Sequence, residues 1–100
     1  MPDHLFQDRE ALDILCRRHA IRRLSLFGSV LKGTAGPDSD VDLLVEFAPG
    51  SAPGLLRLAA IEEAFSALLG GRRVDMRTAP DLSPHFRSDV VRTAALQYAA

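Results

Sequence analysis

Apolar side chains recur at helical spacing near the start of the chain. Leu5, Leu12, Leu15 and Cys16 fall on one side, while Asp8, Arg9, Asp13 and Arg17 fill the other, which predicts a first helix from about Phe6 to His19. The period then shortens. Leu24 and Leu26 share one face of a strand expected over Arg22 to Phe27. Gly28-Ser29 breaks that strand, and a short helical turn runs through Val30, Leu31 and Lys32 to Gly33. Thr34 to Ser39, with Gly36-Pro37-Asp38 inside it, has the composition of a turn. Val41 to Phe47 is the strongest strand pattern of the chain, and Ala48-Pro49-Gly50-Ser51 ends it. Pro53 opens an amphipathic helix with Leu55, Leu58, Ile61, Phe65 and Leu68 on one side, and Gly70-Gly71 stops it. Arg72 to Met76 reads as a short strand, Pro80 to Ser83 as loop, and a last helix is expected from about Pro84 to Ala99. The order helix, strand, short helix, strand, helix, strand, helix predicts an α+β layered domain. Its small mixed sheet has about three or more strands with helices packed on it. With 100 residues, positions 1–100 are expected to form a single domain around one core.

The charges nearly cancel, 12 basic side chains against 13 acidic, so their placement carries the information. Residues 1–35 hold six basic and four acidic groups, residues 36–70 one and six, and residues 71–100 five and three. An acidic centre between basic flanks is unsuited to general coating of nucleic acid, which calls for a continuous basic face. No direct nucleic-acid partner is expected; the pattern suits a local acidic site with positive charge nearby. Cys16 is the single cysteine, which excludes an intrachain disulfide and fits, with the near-neutral charge, a cytoplasmic protein. Met1 to Gln7 carries neither a basic leader nor a long apolar run. No apolar stretch approaches the roughly 18 residues of a membrane span, so no membrane partner is expected. His4, His19 and His85 lack zinc-ligand spacing, and the aromatic residues are not gathered into a base-stacking platform.

The chemistry concentrates between Leu26 and Phe47. Asp40 and Asp42 stand one residue apart at the start of a strongly apolar strand. Side chains alternate along a strand, so both carboxylates face one way, while Val41 and Leu43 face the core. Such a pair repels itself unless a cation lies between its members, and hard oxygen ligands suit Mg2+ or Mn2+. A calcium loop does not fit, because Leu43 and Pro49 stand where that loop needs Gly and Glu. Ahead of the acids, Gly28-Ser29 follows a strand and opens a helical turn, where backbone N–H groups and the serine hydroxyl favour phosphate. It is not a Walker loop: Thr34-Ala35 follows Gly33, and Lys32 precedes it. A third acid, Asp75, lies in Arg73-Val74-Asp75-Met76, with Val74 and Met76 directed to the core. If its strand pairs beside that of Asp42, three carboxylates converge.

Gly28-Ser29, ten residues, then Asp40-Val41-Asp42 resembles the polymerase-β-type nucleotidyltransferases. More closely, the chain resembles the minimal nucleotidyltransferase (MNT) antitoxins of HEPN–MNT toxin–antitoxin pairs. The likeness runs from the leading helix through the LFGS strand end and SDVDLLVEF to the short RVD strand and terminal helix. Where the family often has Arg, this chain has Val30 and Lys32, so one phosphate-facing charge is missing and the other is kept in kind. The resemblance implies a polymerase-β-like nucleotidyltransferase fold and metal-dependent transfer of AMP from ATP. It implies Asp40 and Asp42 as ligands of a Mg2+ that carries the triphosphate and Asp75 as ligand of a second metal ion that helps activate the acceptor. Gly28, Ser29 and Lys32 would hold the phosphates. The implied acceptor is a tyrosine hydroxyl of a partner HEPN ribonuclease toxin, silenced in a hetero-oligomer with its antitoxin. Two other readings stay open: an antitoxin that neutralises by masking, and a small-molecule nucleotidyltransferase subunit.

Overall fold

Asp8 starts the first helix by accepting a hydrogen bond from the backbone N–H of Ala11 at 3.0 Å, so α1 runs Arg9–Arg18 rather than from Phe6. Phe6 is nevertheless buried, its ring edge-on to Phe65 at 5.8 Å between centroids. In the computed structural model, which describes residues 5–33, 36 and 39–100 and only the backbone of Ser29, β1 (Ile21–Phe27) leads into α2 (Gly28–Lys32). The turn expected over Thr34 to Ser39 lies largely outside the described residues. β2 (Val41–Phe47) matches the expected span, α3 is Leu55–Leu68, and β3 is Val74–Arg77. Pro80 to Ser83 is less irregular than expected. It includes part of a single 3-10 turn, Ala79–Asp81, which Asp81 fixes by accepting from the N–H and hydroxyl of Thr78.

The terminal helix is shorter than the sequence pattern predicts. α4 stops at Thr93, and Ala95–Ala99 forms a fourth strand, β4, paired antiparallel with β1. The sheet order is β3-β2-β1-β4, with β1 and β2 antiparallel and β2 and β3 parallel. That parallel pair requires a crossover, and α3 supplies it.

Alternation along β2 sorts the two faces. Val41, Leu43 and Val45 join Leu24, Leu26, Ile61, Phe65, Val74 and Met76 in the main core beneath α1 and α3. Leu44 points to the other face, where it packs with Phe27, Leu82, Val90 and Ala94 under α4. The apolar side expected for α3 is only partly used: Ile61 and Phe65 are buried, while Leu55 and Leu68 are exposed. β3 is an edge strand of four residues, and Glu62 on α3 accepts a hydrogen bond from the Met76 N–H at 2.7 Å. A carboxylate in that position helps keep further strands from adding to the edge. No helix among the described residues is long and apolar enough to cross a membrane.

Candidate active site

The parallel pairing of β2 and β3 sets Asp42 directly beside Asp75. Their strand neighbours Val41 and Val74, and Leu43 and Met76, form flanking pairs that are buried in the main core. Side chains alternate, so the two acids project together on the opposite face, their Cα atoms about 4.8 Å apart as in any paired strands. Asp40 precedes β2 by one position and shares the parity of Asp42. Its Oδ1 lies 3.9 Å from the Nε of Arg73.

This grouping is electrostatically tense. Partial burial raises the Asp42 carboxyl above the usual aspartate range, and the negative charges of Asp75 and Asp40 push it the same way, with Arg77 opposing them. Arg77 sits two residues beyond Asp75 on the same face of β3. Its Nε and Nη2 donate to Asp75 Oδ2 at 3.3 and 3.2 Å. Asp75 and Asp40 thus each have an arginine beside them, and among the described residues no three acidic, His or Cys side chains are gathered closely enough to hold a cation as they stand. The donor set still fits a hard divalent ion. Asp42 feels the charge of both Asp75 and Asp40, and this least compensated carboxylate is the one whose charge a cation would relieve.

Gly28 opens α2 directly after β1 with φ +78°, and a Cβ placed there would stand 2.2 Å from Asp42 Oδ2. The bare side of this glycine is therefore filled by the carboxylate, a reason for glycine that the sequence pattern did not reveal. The Ser29 side chain lies outside the described residues. Lys32 is exposed at the end of α2. Gly28 and Lys32 both border a hollow of about 200 Å3 whose far wall comes from α4. A larger hollow, about 650 Å3, lies farther along the sheet, beyond Leu44 and Thr78, and none of the three acids lines it.

Sequence reasoning missed Arg77 and the α4 wall. Arg77 carries a readable signal, being a charged residue at strand spacing from an acid already singled out. The wall has none, since it depends on α4 folding back over Phe27.

The nucleotidyltransferase domain family matches residues 8–96. The protein adenylyltransferase MntA of Thermococcus cleftensis is 40% identical over 78 residues, covering 78% of this chain and 76% of that protein. A solved structure described as a minimal nucleotidyltransferase is 45% identical, with a TM-score of 0.69 over 86% of this chain and 85% of the other. A chain of a toxin–antitoxin crystallised with AMP-PNP shares the fold at a TM-score of 0.71 and 20% identity, covering 93% of this chain and 74% of that one. A sheet that pairs Asp42 with Asp75 beside a strand-ending glycine, and a match over nearly the whole length, lead to one conclusion: this chain belongs to the nucleotidyltransferase domain family, among its minimal members.

Proposed function

We propose that the protein, a single domain over positions 1–100, is an antitoxin that transfers AMP from ATP to a tyrosine hydroxyl of a partner HEPN ribonuclease toxin in the cytoplasm. The observation that carries this reading is the register of Asp42 on Asp75, with Asp40 alongside and Gly28 against the Asp42 carboxylate. The 40% identical relative is named a protein adenylyltransferase, and related folds occur in toxin–antitoxin complexes.

Asp40, Asp42 and Asp75 would hold Mg2+, two ions in the full complement, with Mn2+ able to replace it. Such ions neutralise charge on the attacking and leaving oxygens of an in-line displacement. Gly28, Ser29 and Lys32 face the phosphates and orient the triphosphate. Asp75 faces the acceptor, orienting the tyrosine hydroxyl and taking its proton as the new oxygen–phosphorus bond forms at the α-phosphate. The bond between the α- and β-phosphates breaks, and pyrophosphate leaves. The protein's part is positioning and electrostatics.

The test uses the purified protein, Mg2+-ATP and a cognate HEPN toxin. We expect a mass increase of one or more AMP groups on a toxin tyrosine, lost with Asp42→Asn. An unmodified toxin that is still silenced would overturn transfer. It would favour masking, the second reading, which the arginines engaging Asp40 and Asp75 make worth separating. An Asp40→Ala/Asp42→Ala variant that still protects cells would point the same way.

A further inference from the structure

The hollow between α2 and α4 is not explained by anything described so far. Gly28, Leu31 and Lys32 line it from α2, and Phe86, Asp89 and Thr93 from α4. Those three α4 residues recur at helical spacing and share one face. Val90, on the same stretch, turns down into the packing over Phe27 and Leu44, which fixes that face toward α2. Phe86 is 46% exposed, although its ring is held edge-on by the buried Phe27, 6.5 Å away between centroids. An aromatic ring anchored on one side and open on the other is a stacking surface.

We propose that this hollow seats the nucleoside half of the bound nucleotide, with the base laid on Phe86. The inference rests on the reading of Gly28 and Lys32 as phosphate-facing groups, since the two border the same hollow. Size selects the occupant. At about 200 Å3 the space is below the roughly 300–1,000 Å3 of sites that enclose a drug-sized ligand, so it takes a base and part of a ribose, and the phosphates leave it past Lys32 and over Gly28 toward Asp42. The larger hollow shares neither Gly28 nor Lys32 and touches none of the three acids. Charge agrees with this placement. Asp89 is paired with Arg92 at 2.5 Å, so at the rim it offers an acceptor to a ribose hydroxyl without adding a bare negative charge beside the phosphates.

The experiment measures, by titration calorimetry on the full chain with Mg2+, the affinity of a non-hydrolysable ATP analogue and of inorganic tripolyphosphate. Phe86→Ala removes the ring; Phe86→Leu keeps an apolar contact on Phe27 and removes only the flat face. We expect both variants to bind the ATP analogue about tenfold or more weakly, the scale of lost base–aromatic stacking, and to bind tripolyphosphate as the wild type does. The Leu variant, with an unchanged Tm, separates stacking from damage to α4. Wild-type affinity for the ATP analogue in Phe86→Leu would overturn the base site while leaving the phosphate reading intact. Failure of the wild type to bind tripolyphosphate would overturn the phosphate reading and the base site with it.

Discussion

Asp42 is partly buried, with an acid beside it across the strand pair and another two residues before it, all opposing its ionisation. Its native pKa therefore lies above the usual 3.8, so the folded state binds the proton more tightly than the unfolded chain. Stability from this group is greatest below 3.8 and is lost as pH rises through the native value. At neutral pH without metal, we expect Asp42→Asn to melt above the wild type, with the gap closing as pH falls toward 3.8. Mg2+ with an ATP analogue should then raise the wild-type Tm and leave the variant unmoved. A variant no more stable than wild type at neutral pH would contradict the charge argument. Gly28 tests the same contact from the other side. Gly28→Ala meets both a left-handed φ of +78° and the Asp42 oxygen, and should cost more than the ~1–2 kcal/mol of the backbone alone. In an Asp42→Gly background part of that cost should vanish, as denaturant unfolding of the four combinations can show. Equal costs in both backgrounds would mean that the carboxylate does not press on Gly28.

At the scale of elements, the strands that carry the acids were legible and the final strand was not. Val41 to Phe47 announced itself because its buried positions are all apolar. The pairing of Asp42 with Asp75 is not a local property, but two strands separated by a long helix make a parallel neighbour the natural outcome. β4 hides because its pattern is inverted: Gln97 is 1% exposed and Leu96 47%. No apolar alternation betrays such a strand, and Arg92 to Ala99 continues α4 well enough on composition. Gln97 is buried there for a polar reason. Its Oε1 accepts from the Leu5 N–H at 2.7 Å, and its side-chain amide donates to the Ala95 carbonyl at 3.2 Å. Gln97→Ala should cost on the order of 1–3 kcal/mol by leaving a sheltered N–H without its acceptor, measured by urea unfolding. A loss of only a few tenths would mean that water replaces the amide. Arg77 differs: its spacing of two from Asp75 on β3 already places it on the face of that acid.

Over the whole molecule, one thiol reports on integrity. Cys16 is fully buried, and burial with the nearby Asp13 pushes its pKa up to about 12. A thiol reagent at mildly alkaline pH should label the native protein only as fast as the structure opens, and nucleotide should slow it further. Labelling at the rate of a free cysteine peptide would show that the core around α1 opens freely. The crossover that carries the chain from Asp42 to Asp75 has a different consequence. Asp40, Asp42 and Gly28 come together through the local β1–β2 pairing. The third acid depends on the α3 crossover and on the pairing of a four-residue edge strand with β2. A nascent or heat-loosened copy can thus retain most of its hydrogen bonds and still have nothing to offer an acceptor. Completeness of the site is therefore tied to the long-range fold, because the pairing of β2 with β3 is what sets Asp75 beside Asp42.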